Sequence, residues 1–185
     1  MKTKANQPTF LYSKDKLPVK AGGVIFYYID ENMMVRFLLL HSRGRYEDFG
    51  GKTDIKDTCY EDTVAREVEE ESNNIFKKED IKKKIKDLEP IYTKHSKYII
   101  YFIKLDSDID SALFGDKEIY ENIPRTVEWV TASELKSSKF IKDKLNFRLR
   151  FKDFFEKINE ILIEINNELM EDLEMKDLEE TLKEL

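Results

Sequence analysis

Three glutamates, Glu67, Glu70 and Glu71, have the spacing in this 185-residue chain that most clearly suggests chemistry. They stand at positions i, i+3 and i+4, so on a helix their side chains share one face, while Val64 and Val68 point toward a core. Carboxylates this close repel one another, a cost that a plain solvated helix does not carry. Oxygen-only clusters suit hard cations such as Mg²⁺ or Mn²⁺. The spacing therefore predicts a face that binds a divalent cation.

The elements that would position this face come directly before it in the chain. Apolar residues 37–40 predict a strand, and Gly50 and Gly51 follow, where the backbone can approach a ligand closely. Thr58, with Glu61 three residues later, predicts a capping box at the start of the acidic helix. The expected local order is strand, glycine loop, acidic helix.

The same residues resemble the signature of a known family. Gly51, five further residues, Asp57, and then the run from Arg66 to Glu71 look like the Nudix box of hydrolases that split a diphosphate linked to another group. The pattern departs from that of the family in four places. Asp stands for Glu at 57, eight residues instead of seven separate it from Arg66, and Asn73 and Asn74 replace a glycine and an apolar residue.

Two other segments support the resemblance in the expected order. Residues 22–28 resemble the opening strand of Nudix domains, and residues 127–135, with Trp129, resemble the last strand and the helix after it. The bland alternative is that a Glu-rich run in a chain with 38% charged residues is the solvated side of a helix. The glycine pair and Arg66 at nearly the family spacing favour the Nudix interpretation.

The resemblance implies an α+β Nudix fold, in which a mixed β-sheet is sandwiched between helices, with a long C-terminal helical extension. It divides the chain into an N-terminal segment (1–17), a Nudix hydrolase domain (18–145) and an amphipathic acidic helix (146–185). It also implies a hydrolase dependent on Mg²⁺ or Mn²⁺. The implied metal ligands are Glu67, Glu70, Glu71 and the Gly51 carbonyl, and the implied catalytic residues are Arg66, Glu67 and Glu70.

The substrate side of the site is less specific. Arg43, Arg45 and Lys52 are candidates for contact with substrate phosphates, and Glu118 and Glu121 for the additional carboxylate that some family members contribute. For each of these, a solvated surface residue is the competing interpretation. The resemblance leaves the substrate open among nucleoside triphosphates, nucleotide sugars, dinucleoside polyphosphates, capped RNA and inositol pyrophosphates. A catalytically inactive Nudix-fold module that binds a nucleotide or a protein is the second hypothesis.

Composition and charge limit the remaining classes. No run approaches the roughly eighteen apolar residues of a membrane span, no apolar signal core is visible near Met1, and a single cysteine, Cys59, fits a reducing cytoplasm. Residues 156–185 carry eleven acidic residues and three lysines, a net charge of −8, which leaves +2 for the rest. A strongly electrostatic nucleic-acid binder is therefore not expected.

Periodicity predicts the secondary structure and one interaction element. The predicted strands are 21–30, 34–41, 89–94 and 98–105, and the predicted helices are 58–72, 78–87, 132–136 and 146–184. The last helix has an apolar stripe with a spacing near 3.5 residues and an acidic opposite face. It is a candidate for homodimerisation or for a protein partner, with a folded-back hairpin as the alternative.

Overall fold

The computed structural model of the protein describes residues 7–120 and 122–183. The strands are β1 (Phe10–Tyr12), β2 (Leu17–Val19), β3 (Ala21–Ile29), β4 (Val35–Ser42), β5 (Arg45–Glu47), β6 (Phe49–Lys52), β7 (Ile91–Thr93), β8 (Tyr98–Lys104) and β9 (Thr126–Thr131). The α-helices are α1 (Tyr60–Glu71), α2 (Lys78–Ile85), α3 (Ala132–Lys136), α4 (Ser138–Asp143) and α5 (Lys152–Lys183), and 3-10 turns occupy Ser111–Phe114 and Phe147–Leu149.

Among the described residues, seven strands form one mixed sheet, while β1 and β2 form a separate hairpin. The long β3 pairs in parallel with β8, whereas its two halves pair antiparallel with different strands. Residues 26–29 pair with β4, and residues 21–24 pair with β6. Along one edge of β3, β6 therefore pairs with the first half of the strand and β4 with the second half. Strand β9 pairs antiparallel with β4. The predicted α+β fold with a mixed sheet and a long C-terminal helix is confirmed.

Apolar residues of α1 fix the acidic helix to the sheet. Val64 and Val68 are fully buried in a cluster with β-strand residues such as Phe26, Phe49 and Ile99. Burial of a Val side chain contributes roughly 1.5–3 kcal/mol, so these two positions hold the helix face that carries the glutamates at a fixed rotation. The prediction that Val64 and Val68 point into the core is confirmed.

The predicted capping box at Thr58 and Glu61 is wrong. The helix begins at Tyr60 with Cys59 as its N-cap and no side-chain cap bond. The Thr58 hydroxyl and backbone N–H both donate instead to the buried carboxylate of Asp62. A capping box does form elsewhere, at the start of α3, between Thr131 and Glu134.

The chain divides between Arg150 and Phe151 into two compact units. A continuous helix from residue 146 was expected, but Asn146 caps the 3-10 turn Phe147–Leu149 by accepting from the Arg148 N–H over 3.1 Å. The long helix α5 begins only at Lys152. None of the described helices combines the length and apolarity needed to span a membrane. The predicted domain boundaries and cytoplasmic location stay predictions.

Candidate functional site

Arg66, in the middle of α1, is the centre of the hydrogen bonds that hold the predicted site residues. Its Nε and Nη2 donate to the two carboxylate oxygens of Asp57 over 2.9 and 3.0 Å, and Nη2 also donates to the Lys52 carbonyl over 2.8 Å. Its Nη1 donates to Glu67 Oε1 over 2.8 Å and to Glu70 Oε2 over 3.1 Å. Because the guanidinium is a rigid planar fork, this one side chain orients three carboxylates.

Asp57 reaches Arg66 despite the additional residue between them. Its Oδ2 also accepts from the Asp54 N–H and from the Thr63 hydroxyl, both over 2.8 Å. Burial alone would raise the pKa of Asp57, but the hydrogen bonds from Arg66 hold it below its usual range. The loop between β6 and α1 thus absorbs the extra residue, and the spacing difference in the sequence does not separate the pair.

The two glycines of β6 lie directly against the carboxylates of α1. A side chain at Gly51 would overlap the Glu67 carboxylate, so only glycine leaves room for this approach. The Gly50 N–H donates to Glu71 Oε2, while a side chain at Gly50 would overlap the Tyr98 hydroxyl and the backbone of Gly23. The strand end and the helix face therefore form one continuous wall.

The environment of this wall disfavours carboxylate charge. Burial raises the pKa of Glu67 to about 7, although Arg66 opposes the shift. Burial also raises the pKa of Glu70 and of Glu71, with Arg66 opposing it at Glu70 and Arg148 opposing it at Glu71. Desolvation without enough neighbouring positive charge is the common physical cause.

The donor set of this wall fits a cation of the Mg²⁺ type. Glu67, Glu70 and Glu71 offer only oxygen atoms, which hard divalent cations prefer, and the absence of a side chain at Gly51 keeps the approach to Glu67 open. Within residues 7–120 and 122–183, however, no three His, Cys, Asp or Glu side chains converge as a preformed metal site. The assignment of these four residues as metal ligands therefore stays a prediction.

A cleft of about 690 Å³ opens in front of the wall. Its polar lining includes the wall residues together with residues of β4, β5 and two loops. The lining residues are Gln7, Leu40, Ser42, Arg43, Arg45, Glu47, Gly50, Gly51, Lys52, Thr53, Asp54, Lys56, Arg66, Glu67, Glu70, Glu71, Glu118, Ile123, Arg125 and Asn146. The predicted phosphate contacts Arg43, Arg45 and Lys52 all reach this cleft, and Lys56 joins them.

The turn between β4 and β5 places two of these cations at the cleft. Arg43 and Gly44 both have positive φ values, 51° and 74°, which gives the chain the tight reversal that a two-residue hairpin needs. Arg45 follows on β5 and donates from Nη1 to the Lys142 carbonyl over 3.2 Å. The turn therefore places positive charge in the lining of the same cleft that the glutamates line.

The loop before β9 brings Glu118 and Arg125 to the same cleft. Glu118 is 7% exposed and its Oε1 accepts from the Tyr120 N–H over 2.6 Å. Arg125 is 5% exposed and donates to the backbone carbonyls of Phe114 and Glu71. Glu118 thus lines the cleft, and its role as an additional carboxylate stays a prediction, whereas Glu121 lies outside the described residues. Arg125 gave no signal in the sequence.

A buried polar network behind the wall was also missed. Asp48 is fully buried, and it accepts from Arg148 Nε over 3.0 Å and from the Tyr98 hydroxyl over 2.7 Å. The Arg148 guanidinium lies over the Tyr98 ring, 5.2 Å from its centroid, and 3.6 Å from the Glu47 carboxylate. Its positive charge also opposes the rise in the pKa of Glu71 that burial causes. Arg148 and Asp48 are 100 positions apart in the sequence, so their contact becomes visible only in the folded structure.

No protein-family model matches this sequence, and no curated protein matches it. Several solved structures do. A Nudix hydrolase of M. smegmatis, RenU, is 11% identical over 85% of this chain and 97% of its own, with a TM-score of 0.44. The Ap4A hydrolase of C. elegans is 16% identical over 82% and 98%, with a TM-score of 0.40.

The NUDIX domain of Shewanella oneidensis NrtR, solved with ADP ribose, is 14% identical over 82% of this chain and 94% of its own, with a TM-score of 0.49. At such identities and TM-scores, the likeness says nothing about activity or substrate. The three alignments cover 82 to 85% of this chain.

Proposed function

We propose that this chain is a Nudix hydrolase that uses Mg²⁺ or Mn²⁺ to cleave a diphosphate linkage in a nucleoside diphosphate derivative. The observation that carries the proposal is the Arg66 fork, which holds Asp57, Glu67 and Glu70 against the Gly50–Gly51 strand end at the wall of a cleft. Carboxylate oxygens and cationic side chains in the lining of one cleft are what a metal-bound diphosphate requires.

Each residue has a physical role in this proposal. Glu67, Glu70, Glu71 and the Gly51 carbonyl would hold the cation, which when bound would acidify a water molecule and offset charge on the phosphate oxygens. Arg66 keeps two of these carboxylates oriented. Glu70 has the more exposed side chain of that pair, 34% against 16% for Glu67, so water reaches it more readily. We assign to Glu70 the acceptance of the proton from the attacking water.

The cations that line the cleft would bind the rest of the diphosphate. Arg43, Arg45 and Lys52 would donate to phosphate oxygens, with Lys56 as a further cation in the same lining. The cleft thus combines carboxylates for a metal ion with cations for a phosphate, and a metal-bound diphosphate matches both.

A second substrate class is favoured by one observation. Of the described residues that line the cleft, none is aromatic, and only Leu40 and Ile123 have large apolar side chains. A nucleobase would thus find little surface for stacking, whereas a compact polyanion would meet cationic side chains such as Arg43, Arg45 and Lys52. An inositol pyrophosphate is the alternative substrate that fits this lining.

A substrate panel tests the proposal and separates the two classes. Phosphate and nucleotide release would be measured with Mg²⁺ and with Mn²⁺ on nucleoside triphosphates, nucleotide sugars, dinucleoside polyphosphates, capped RNA and an inositol pyrophosphate. The same reactions with chelator serve as the control. We expect metal-dependent turnover of one class. If folded protein cleaved no substrate of the panel, the result would favour a catalytically inactive module that binds a nucleotide or a protein. The acidic helix α5 is then the proposed contact for a partner or a second copy.

Thermal stability provides a test of the metal site that needs no substrate. A ligand that binds only the native state at a concentration of one hundred times its Kd raises the free energy of unfolding by about 2.7 kcal/mol. We expect Mg²⁺ or Mn²⁺ to stabilise the wild-type protein in this way and to stabilise a Glu70→Gln, Glu71→Gln variant much less. Differential scanning fluorimetry across a metal titration measures both. Equal protection of the two proteins would contradict the assignment of these ligands.

A further inference from the structure

The segment that brings Glu118 to the cleft is a short loop from Gly115 to Pro124, of which the structure describes residues 115–120 and 122–124. The Glu118 N–H donates to the Ile123 carbonyl over 2.8 Å, and the Arg125 N–H donates to the Asp116 carbonyl over 2.9 Å. These bonds close the loop on itself. They do not attach it to α1, which carries the predicted metal ligands.

Arg125, next to the loop, donates to the Glu71 carbonyl, and the Tyr120 hydroxyl donates to Asn74. Most of the hydrogen bonds between the described loop residues and the end of α1, however, come from one side chain, Asn73. Its Nδ2 donates to the carbonyls of Phe114 and Lys117 over 2.8 and 2.9 Å, and its Oδ1 accepts from the Ile119 N–H over 3.0 Å. Both donor hydrogens and the acceptor oxygen of the carboxamide are therefore used. The partners lie 41 to 46 positions further along the chain.

The backbone conformation at Asn73 does not by itself require an asparagine side chain. Its φ is 53° and that of Asn74 is 65°, in the left-handed region where the chain leaves the helix and where glycine is less strained. The two N–H groups donate to the carbonyls of Glu70 and Glu69, bonds that glycine would form equally well. What the Asn73 side chain adds is its three contacts with the loop. Asn74 adds only one contact, from the Tyr120 hydroxyl over 3.1 Å.

Holding the loop matters because of what it places beside the wall. Glu118 lines the cleft together with Glu70 and Glu71. Glu118 is 7% exposed and its Oε1 accepts from the Tyr120 N–H within the same loop, so the position of this carboxylate depends on the position of the loop. A displacement of the loop by even 1 Å would change this arrangement of charge.

We propose that Asn73 is a positioning residue that fixes the 115–124 loop, and with it the Glu118 carboxylate, against the end of α1. This inference rests on the proposed hydrolase function. Asn73 occupies one of the positions where this sequence departs from the Nudix pattern. Its side chain connects the end of α1 to the loop, and both α1 and the loop line the cleft.

The substitution Asn73→Gly isolates this connection, because glycine adopts the positive φ freely and removes only the side-chain bonds. Asn74→Gly is the matched control, since it makes the same change at a neighbouring position of the same backbone conformation. We expect Asn73→Gly to speed amide hydrogen exchange at Ile119 about tenfold or more and to lower kcat about tenfold, with Tm nearly unchanged. The control should alter both quantities by less than threefold.

A second set of variants distinguishes positioning from a general loosening. Asn73→Asp keeps the acceptor for Ile119 but faces two carbonyls with a carboxylate, so it should lower kcat more than Asn73→Gly does. Glu118→Gln should lower kcat strongly in the wild type and by a smaller factor in the Asn73→Gly background, because the carboxylate is already displaced there. A purely structural role would leave the effect of Glu118→Gln the same in both.

The outcomes separate this inference from the function on which it rests. If the wild type cleaves no substrate, the proposed function fails and the positioning role fails with it, even where exchange at Ile119 shows that the connection exists. If the wild type is active and Asn73→Gly keeps its full kcat, or leaves exchange at Ile119 unchanged, the positioning role is overturned while the hydrolase function stands.

Discussion

Replacing Glu70 with Gln is expected to lower kcat/KM on the cleaved diphosphate by about 10²- to 10⁴-fold, the range typical of a lost general base. Gln has the same size as Glu but neither binds a cation with a full negative charge nor accepts a proton at neutral pH. It keeps an oxygen that can accept from Arg66 Nη1, so the fork and the fold should persist. The loss should therefore appear in the rate and not in the stability.

Glu69→Gln is the matched control for this substitution. Glu69 lies on the same helix but does not line the cleft, and its Oε1 accepts from the Lys78 N–H over 3.0 Å, a bond that Gln can also make. Steady-state kinetics on both variants, at saturating metal, gives the comparison. If Glu70→Gln stayed within threefold of the wild type, Glu70 would have no part in the reaction.

Replacing Arg148 with Met is expected to lower the free energy of unfolding by about 3–5 kcal/mol, the usual cost of removing one partner of a buried ion pair. The fully buried Asp48 would lose the Arg148 nitrogens at 2.9–3.0 Å and keep only the Tyr98 hydroxyl. The Arg148 Nη2 also lies 3.5 Å from the Gly50 carbonyl, so the strand that carries Gly50 would lose support. Denaturant titration monitored by circular dichroism measures the change.

Two further variants identify the cause of that loss. Asp48→Asn in the Arg148→Met background removes the unpaired charge, so the double variant should be more stable than the sum of the single changes implies. Arg36→Met is the matched control at a partly exposed pair, where Arg36 Nε lies 2.7 Å from Asp30 and the expected loss of stability is much smaller. Equal costs at Arg148 and Arg36 would show that the buried network contributes nothing special.

The sequence by itself determined the local part of the candidate site. The shared face of Glu67, Glu70 and Glu71 follows from helical geometry, and the burial of Val64 and Val68 follows from the same periodicity. Helix geometry is a property of neighbouring residues, so spacing alone is enough to predict it. The glycine pair predicted a close approach of the backbone to a ligand, and the structure adds that the Glu67 carboxylate lies against Gly51.

Residue spacing does not predict how nearby polar groups compete for the same hydrogen-bond donors. Thr58 and Glu61 fit a capping box, yet Asp62, one residue later, offers Thr58 a buried carboxylate and takes its hydrogen bonds. The additional residue between Asp57 and Arg66 departs from the spacing of the family pattern. The loop accommodates it, and both carboxylate oxygens of Asp57 accept hydrogen bonds from the Arg66 guanidinium.

Only the tertiary structure decided which distant residues surround the glutamates. Arg148 meets Asp48 one hundred positions earlier, and Asn73 meets a loop more than forty positions later. Such pairs depend on how the strands and helices pack, and a single sequence contains no periodic signal for them. Helical spacing therefore predicts the shared face of the glutamates. The buried charges and the loop that complete the candidate site reach it only through tertiary packing.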